Sequence, residues 1–412
     1  MRFLYGMTRN TVGAGYTRGS GYSRFQERTA LESMHSTHRR LIFGIITVLV
    51  TVSVSVVLLE ILFRLVYFQP RGRVAVPYEF QLSALDGVPY ELTPNHRYEW
   101  KYGPRSVFDR GFSIPVRTNA MGFRDDPVIM PKPEGTVRIL AVGDSFTWGL
   151  GVAEEDGWVE QLESLLAQRM HRPVEVINTG VGSWNTEVEA AFLAGKGMSL
   201  APDAVILGFL VNDFRAADTG YAIDDRGYLV TRFKDGSQPA GAERLHLQSL
   251  LYEEKPRGNM FRRLVDSSHL IRWISGRRLK TEKRTLMMFN DKTAKQRIWD
   301  ALDRIHRMTD TAGIPLFVLV FPYVEDPIPT AEKADLDELA AVCHESGLPC
   351  LRMEEALAGI PPEELWVHPR DHHPNARAHA LYAKLIVSSL FTHPDEIFLK
   401  SNPNVLQESI PE

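Results

Sequence analysis

The amino-acid sequence predicts an α/β fold, in which one parallel β-sheet carries helices on both faces and a single membrane-spanning helix precedes it. Three observations lead to this prediction. From about residue 136, short apolar runs of strand length alternate with longer segments whose apolar residues recur at helical spacing. The short runs are almost continuously apolar, which is typical of parallel strands buried on both faces. Residues 41–59 form an uncharged apolar run, long enough to cross a bilayer as a helix.

The alternation assigns the elements in order. Strands are predicted at residues 138–142, 174–178, 204–210, 316–321 and 351–353. Helices are predicted at residues 157–169, 186–198, 292–312, 331–345 and 376–390. Together they define a main domain over residues 136–395, followed by a C-terminal tail at 396–412. A long polar interruption with scattered glycines, at about 214–291, is expected to be a cap or lid at the ligand-binding edge of the sheet.

The N-terminal region is expected to contain a disordered segment, residues 1–40, and a transmembrane signal anchor, residues 41–63. Met34 offers a second translation start. A buried core helix and a cleavable signal peptide are the alternatives to an anchor, but no Ala-x-Ala cleavage site follows the apolar run. Arginines flank the run on both sides, so the positive-inside bias is slight. The default orientation leaves the main domain outside the cytoplasm.

Residues 64–135 are rich in proline and aromatic residues and are expected to connect the anchor to the main domain and pack on it. Residues 118–124, Thr-Asn-Ala-Met-Gly-Phe-Arg, fit either a structural clamp or a substrate rim, and the clamp is favoured because no catalytic residue types are suitably spaced there.

Composition narrows the function. The 412-residue chain has a formal net charge of −4 and no basic stripe interleaved with aromatic residues, so no nucleic-acid partner is expected. The two cysteines, Cys343 and Cys350, cannot make a four-cysteine metal site. Outside the cytoplasm they can form a disulfide, and otherwise they are two small buried hydrophobic residues. The sequence carries no signal for the oligomeric state.

Ser145 follows the predicted strand 138–142 directly, within Gly143-Asp144-Ser145. Ligands of open α/β sheets bind beyond such strand ends, and the next helix points its N-terminal N–H groups at the same place. A serine there is well placed to act as a nucleophile. Read alone, the turn fits a helix-capping serine equally well.

Three later stretches supply the other groups that a nucleophilic serine needs. Residues 176–186 are rich in Gly and Asn, so their backbone N–H groups can turn toward a ligand. Asn212 ends the strand 204–210, where its side-chain amide can reach an oxyanion. Asp371 and His373 offer a carboxylate beside an imidazole just before the last helix.

These stretches resemble the four sequence blocks of the SGNH hydrolase superfamily, also called GDSL esterases and lipases, over about residues 136–392. The blocks are Gly143-Asp144-Ser145, Asn178-x-Gly180, Asn212-Asp213 and Asp371-x-His373-Pro374-Asn375, in the family order. The resemblance implies a flavodoxin-like three-layer α/β/α fold and hydrolysis of an ester without a metal or an organic cofactor.

The resemblance also implies roles for single residues. Ser145 would be the nucleophile, His373 the general base and then acid, and Asp371 the residue that orients His373. The oxyanion would receive hydrogen bonds from the Ser145 N–H, from a backbone N–H of the second block and from the Asn212 side chain.

The sequence departs from the family pattern at three places. Ser183 stands where the family usually has its oxyanion glycine, with Gly182 beside it, so either N–H can be the donor. The third block has Leu210-Val211 directly before Asn212, where the family has a glycine. Only one residue separates Asp371 from His373, where many members have two. If the Asp371 carboxylate does not reach the imidazole, a backbone carbonyl takes its place.

Other polar and aromatic residues near these blocks are given structural roles. No metal site is expected among His368, His372, His373 and His379, because clean i, i+4 spacing with a carboxylate is missing. His372 is expected to have no catalytic role. Asp144 and Asp213 are expected to accept hydrogen bonds from loop backbone. Trp148 is expected to pack, and Trp184 fits the core and the substrate site equally well.

The resulting prediction is a membrane-anchored serine esterase with its catalytic domain outside the cytoplasm. It would hydrolyse O-acyl groups of envelope or exported glycans, or small acyl esters and lipids, through an acyl-serine intermediate. An O-acyltransferase that moves acyl groups onto polysaccharide, and a catalytically silent binding protein of the same fold, are the alternatives.

Overall fold

The computed structural model describes residues 20–66, 76–105, 109–214, 220–223, 227–232, 268, 270, 292–325 and 330–392. Most of the insertion predicted at 214–291 and the whole tail predicted at 396–412 lie outside the described residues, and so do residues 1–19. The chain divides into two units, Met1–Tyr67 and Phe68–Glu412.

The first unit contains helix α1, Ser20–Val66. Its stretch Thr37–Phe63 is long and apolar enough to cross a membrane, and its most apolar part is not buried within the chain; a signal sequence has the same properties. The prediction that residues 1–40 are disordered is wrong for residues 20–40, which are helical. Residues 22–40 contain four Arg and two Glu, which are good helix formers, and no Gly or Pro, so the segment continues the apolar helix toward the N-terminus.

The second unit begins with two β-hairpins within the connector, residues 64–135. Strand β1 (Phe80–Leu82) pairs with β2 (Tyr90–Leu92), and β3 (Arg97–Tyr102) pairs with β4 (Phe112–Arg117). Exposed and more buried residues alternate along β3, so Trp100 and Tyr102 face inward. Both belong to the same apolar core as the helices of the main domain, and the connector is therefore part of the folded unit.

The remaining strands and helices follow the alternation seen in the sequence. The strands are β5 (Val137–Gly143), β6 (Val174–Asn178), β7 (Ala204–Leu210), β8 (Gly220–Ile223), β9 (Leu229–Arg232), β10 (Leu316–Phe321), β11 (Cys350–Arg352), β12 (Trp366–His368) and β13 (Asp371–Pro374). The helices are α2 (Ser145–Trp148), α3 (Trp158–Met170), α4 (Thr186–Gly195), α5 (Lys292–Thr311), α6 (Thr330–Glu345) and α7 (Ala376–Thr392).

Five parallel strands form the central sheet in the order β11-β10-β7-β5-β6. Successive residues of β5 face opposite layers, as the strand geometry requires. Ile139 and Ala141 pack with residues of α3 and α7, whereas Leu140 and Val142 pack with residues of α4, α5 and α6. The result is the three-layer α/β/α arrangement that the sequence predicts.

Cys343 and Cys350 form a disulfide, which decides between the two readings of these cysteines. The bridge joins the end of α6 to the start of β11, with 6.1 Å between the two Cα atoms. It closes the short loop that leads from the helix into the edge strand of the sheet.

Candidate active site

Ser145 is the first residue of the single-turn helix α2, directly beyond β5, an inner strand of the sheet. Asp144 caps this helix, because its Oδ1 accepts a hydrogen bond of 2.8 Å from the Phe146 N–H. Gly149 ends it in the left-handed region, with φ 79°. The Asp144 cap satisfies the Phe146 N–H, whereas the Ser145 N–H, at the start of the turn, has no acceptor within the helix and can donate to a ligand.

Helix α2 approaches the sheet unusually closely at two glycines. Gly143 of β5 and Gly208 of β7 are register partners on neighbouring strands, and Thr147 lies over both. A Cβ at position 143 would lie 2.2 Å from the Thr147 hydroxyl oxygen, and one at position 208 would lie 2.4 Å from it. Only glycine fits at both positions, and this close approach sets the height of Ser145 above the strand ends.

The C-terminal end of α2 is held by Arg124, which lies in the 118–124 segment of the connector. Its buried guanidinium donates hydrogen bonds to the carbonyl oxygens of Trp148 (3.1 Å), Gly149 (2.6 Å) and Val152 (2.6 Å). The guanidinium also lies over the Trp148 ring. The segment is therefore the structural clamp that the sequence favours, and Trp148 is buried in the core.

His373 brings its imidazole to the Ser145 hydroxyl. The distance between Ser145 Oγ and His373 Nε2 is 2.9 Å, and His373 Nδ1 is in hydrogen-bond contact with Asp371 Oδ1. Asp371 and His373 are alternate residues of strand β13, so their side chains point to the same face. This geometry explains how an acid and an imidazole separated by only one residue can meet, and no backbone carbonyl is needed in the place of Asp371.

Asn212 lies in the 3-10 turn Val211–Phe214 that follows β7, next to the Asp144 side chain. Its Nδ2 donates a hydrogen bond of 3.2 Å to Asp144 Oδ2. An amide nitrogen carries two hydrogens, so the second remains available to a ligand at the strand ends. Burial raises the pKa of Asp144, and the hydrogen bonds from the Phe146 N–H and from Asn212 oppose that shift.

The loop between β6 and α4 contains Gly182 and Ser183, the two candidate backbone donors. Ser183 has a positive φ of 67°, a conformation that favours glycine, whereas Gly182 does not. The Tyr90 hydroxyl donates a hydrogen bond of 3.0 Å to the Gly182 carbonyl oxygen. The carbonyl of residue 182 and the N–H of residue 183 belong to one trans peptide and point in opposite directions, so Tyr90 fixes the direction of the Ser183 N–H.

The family of the chain follows from comparison with known proteins. The model of the GDSL-like Lipase/Acylhydrolase family matches residues 141–381, more than half of the 412 residues. The chain belongs to this family. It is accordingly a hydrolase that acts on ester bonds. No curated protein matches the chain.

Solved structures similar to this GDSL-like acylhydrolase are distant in sequence. A lipolytic protein of the G-D-S-L family from Desulfitobacterium hafniense DCB-2 is 15% identical over 61% of this chain and 98% of that chain, with a TM-score of 0.34. An acetylxylan esterase from Geobacillus stearothermophilus is 14% identical over 62% and 94%, with a TM-score of 0.37. A two-domain esterase active on acetylated mannans is 16% identical over 67% and 51%, with a TM-score of 0.36. The family assignment therefore rests on the family model.

His368, His372 and His379 of this acylhydrolase contact groups other than the Ser145 hydroxyl. His372 stacks on Trp366 at 3.9 Å between ring centroids, and its Nδ1 lies 3.5 Å from Glu325 Oε1. His368 is buried and stacks against Tyr102. His379 accepts a hydrogen bond from the Trp158 N–H, and burial lowers its pKa to about 3. Within the described part of the chain, no group of three or more His, Cys, Asp or Glu side chains is arranged to hold a metal ion.

Two further carboxylates are buried near this site, Asp213 in the turn after β7 and Glu189 in α4. Asp213 accepts a hydrogen bond of 2.8 Å from the Thr186 hydroxyl, a side-chain donor, where the sequence suggests loop backbone. Glu189 of α4 is fully buried, and neither of its carboxylate oxygens has a hydrogen-bond partner among the described residues. Burial raises the pKa of Glu189 well above its ordinary value, and the charges of Asp213 and Asp144 raise it further.

Sequence reasoning misses two residues of the connector that reach the site. They are Tyr90, which holds the Gly182 carbonyl, and Tyr102, whose hydroxyl donates a hydrogen bond of 2.9 Å to Asp371 Oδ2. The alternating pattern of residues 97–102 is the available sequence signal, because it predicts a short strand with Tyr102 facing inward. Trp184, which the sequence left open, is buried, and its indole N–H donates to the Tyr90 carbonyl oxygen.

Proposed function

We propose that this acylhydrolase is a membrane-anchored serine esterase in which Ser145 is the nucleophile, His373 the general base and Asp371 the residue that orients His373. One observation carries the proposal. A continuous hydrogen-bonded series runs from Ser145 Oγ through the two ring nitrogens of His373 to the Asp371 carboxylate. A serine hydroxyl is a poor nucleophile at neutral pH, and this series supplies both the base and the group that orients it.

In the acylation step, His373 Nε2 takes the hydroxyl proton of Ser145 while Oγ forms a bond to the ester carbonyl carbon. The tetrahedral oxyanion then collapses, the ester C–O bond breaks, and the His373 imidazolium gives its proton to the leaving alcohol. In deacylation, a water molecule gives a proton to His373 and attacks acyl-Ser145. The carboxylic acid leaves, and Oγ recovers its proton.

The oxyanion would be stabilised by three donors. They are the Ser145 N–H at the first turn of α2, the Ser183 N–H and the second amide hydrogen of Asn212. Ser183 is preferred to Gly182 because Tyr90 directs the peptide between them. Each donor is worth about 3 kcal/mol of barrier in enzymes of this kind.

Two features support a position outside the cytoplasm and on a membrane. The stretch Thr37–Phe63 is suited to spanning a bilayer, and the disulfide between Cys343 and Cys350 fits an oxidising compartment. From the compartment we propose O-acyl groups on envelope or exported glycans as the substrates, with small acyl esters and lipids as the other candidates. A short N-terminal segment would lie in the cytoplasm.

The test is labelling of the detergent-solubilised protein with a fluorophosphonate probe. Wild type should be labelled at Ser145, and labelling should be lost in Ser145→Ala and in His373→Ala. His372→Ala is the matched control, because His372 is the neighbouring residue and stacks on Trp366, so it should keep its labelling. A folded wild type without labelling would contradict the serine mechanism.

Hydrolysis and acyl transfer differ in the acceptor of the acyl group. Incubation with an acetylated glycan, with and without an added acceptor sugar, should release free acetate at the same rate in both cases. Acetylation of the added sugar would identify an O-acyltransferase instead.

A further inference from the structure

We propose that Tyr102 is a positioning residue for the reaction, which holds the Asp371 carboxylate in the plane that orients His373. The inference rests on the proposed function of Ser145, His373 and Asp371. It also assigns part of the active site to the connector, because Tyr102 lies outside residues 141–381, the region that the family model matches.

The geometry of the Asp371 carboxylate carries the proposal. One oxygen, Oδ1, is in contact with His373 Nδ1, and the other, Oδ2, accepts the hydrogen bond of 2.9 Å from the Tyr102 hydroxyl. A carboxylate bound through one oxygen can rotate about its last side-chain bond, which is a soft torsion. Bonds to both oxygens from two different directions remove that freedom. Tyr102 thereby keeps Oδ1 aligned with the imidazole.

The tyrosine ring is itself fixed. Tyr102 is buried and lies between two rings, with Phe112 at 4.8 Å and 15° and His368 at 5.5 Å and 26°. Phe112 is its register partner on the neighbouring strand β4. The Tyr102 hydroxyl passes close to Gly151 on its way to Asp371, and the space there exists because residue 151 has no side chain. A Cβ at position 151 would lie 2.8 Å from the hydroxyl oxygen, and Gly151 has a φ of 89° that favours glycine.

The local sequence explains why a second contact matters in this chain. Asp371 and His373 are separated by one residue on the short strand β13, whose only ladder partner is the three-residue strand β12 among the described residues. Within this hairpin the His373 N–H also donates to Asp371 Oδ1, at 3.4 Å, so this contact and that of His373 Nδ1 act on the same carboxylate oxygen. The hydrogen bond from Tyr102 ties the other oxygen to a strand 269 residues earlier in the chain.

Replacing Tyr102 by Phe tests the proposal, since it removes the hydroxyl and keeps the ring. A hydrogen bond to a charged group is lost, so we expect kcat for a soluble aryl acetate to fall about tenfold while KM stays unchanged. Tyr382→Phe is the matched control. Tyr382 is equally buried, and its hydroxyl has no partner in the described part of the chain, so its removal should leave kcat unchanged.

A double-mutant cycle distinguishes positioning from packing. If Tyr102 acts through Asp371, Tyr102→Phe should have no effect on the fluorophosphonate labelling rate in an Asp371→Ala background. If it only supports the fold, Tyr102→Phe should lower the labelling rate by the same factor with and without Asp371. Thermal unfolding of each variant is measured in parallel. Should Tyr102→Phe fail to fold, Phe112→Leu, which loosens the stacked ring and keeps the hydroxyl, takes its place, with a smaller loss that also vanishes in Asp371→Ala.

The outcomes separate this inference from the proposed function. Equal kcat values for wild type and Tyr102→Phe, or a loss that persists without Asp371, would overturn the role of Tyr102 while labelling at Ser145 stands. Absence of labelling in wild type, or labelling that survives Ser145→Ala, would overturn the proposed function itself.

Discussion

Ser183 adopts a left-handed backbone conformation, with φ 67°, at the position where the family usually has a glycine. An L-residue in this region destabilises the folded state by about 1–2 kcal/mol, and glycine avoids this penalty. Because glycine loses more conformational entropy on folding, only part of the difference appears as added stability. We therefore expect Ser183→Gly to raise the free energy of unfolding by about 0.5–1 kcal/mol, measured by urea denaturation in detergent. Labelling should persist, because the donor is the backbone N–H.

Gly182→Ala is the control for this substitution. Gly182 lies outside the positive-φ region and a Cβ there would have no atom within 4 Å, so the variant should be at least as stable as wild type, with a gain of up to about 1 kcal/mol from the lost freedom of the unfolded chain. A Ser183→Gly variant less stable than wild type would show that the side chain of Ser183 contributes more than its backbone conformation costs.

Glu189 makes stability depend on pH. Its folded-state pKa lies well above the ordinary value of 4.5, so the folded protein keeps a proton that the unfolded chain releases above that pH. The contribution is full below about pH 4.5 and is lost as the pH rises toward the folded-state pKa. The slope is about −1.4 kcal/mol of unfolding free energy per pH unit.

Glu189→Gln removes this titration and keeps the shape of the side chain. We expect the variant to gain stability over wild type as the pH rises from 5 to 8, measured by urea denaturation at each pH. Glu187→Gln, on the same helix with a partly exposed side chain, controls for the loss of one carboxylate from α4. Parallel curves for wild type and Glu189→Gln would mean that Glu189 is ionised in the folded state.

At the scale of single residues, the sequence predicts those site residues that have a reactive side chain and lie at the end of a predicted strand or helix. Ser145, Asn212 and His373 each stand at the end of a predicted strand or before a predicted helix, and the resemblance to the family assigns their roles. The contact between Tyr102 and Asp371 joins residues 269 positions apart, and no periodicity encodes such a pairing. It depends on how the connector folds back on the main domain.

Among the secondary-structure elements, helix α2 depends on a clamp from the connector. Arg124 reaches the Trp148 and Gly149 carbonyl oxygens from Nη1 and the Val152 carbonyl oxygen from Nη2, a spread that the single nitrogen of a lysine does not match. We expect Arg124→Lys to lower the free energy of unfolding by about 3 kcal/mol, since hydrogen bonds to a charged group are lost in a buried place. The labelling rate at Ser145 should fall as well, because the helix that carries it is held less firmly.

Arg117→Lys provides the comparison. Arg117 pairs with Asp126 and Glu154, its side chain is 42% exposed, and exposed ion pairs contribute about 0–1 kcal/mol. If both variants unfold at the same denaturant concentration, the three buried hydrogen bonds of Arg124 do not hold α2.

The elements that the sequence predicts best are the buried parallel strands. Strands β6, β7 and β10 have the predicted bounds. For β7 and β10 the reason is that a strand covered on both faces is apolar along its whole length. The hairpins of the connector are missed because their strands are short and half-exposed. The N-terminal half of α1 is missed because its polar composition resembles that of a disordered segment, although its residues favour helix.

The whole molecule is expected to stay on the membrane with an intact N-terminal helix. After alkaline carbonate extraction of native membranes, the chain should remain in the membrane fraction and should retain residues before Phe63. In the same material, alkylation without reductant should leave Cys343 and Cys350 unmodified, and reduction should expose both. A soluble chain that begins after Phe63 would identify a cleaved signal sequence, and free thiols would argue for a reducing compartment.

The close approach of Thr147 to Gly143 and Gly208 limits the order in which this enzyme can change during evolution. A larger residue at either glycine collides with the threonine hydroxyl, and at Gly143 also with the Gly208 carbonyl oxygen at 2.9 Å. Position 208 can enlarge only after position 147 has become smaller, whereas position 143 stays closed even then. A larger residue at position 208 therefore requires a prior substitution of Thr147, and a single substitution at either glycine disrupts the packing beneath Ser145.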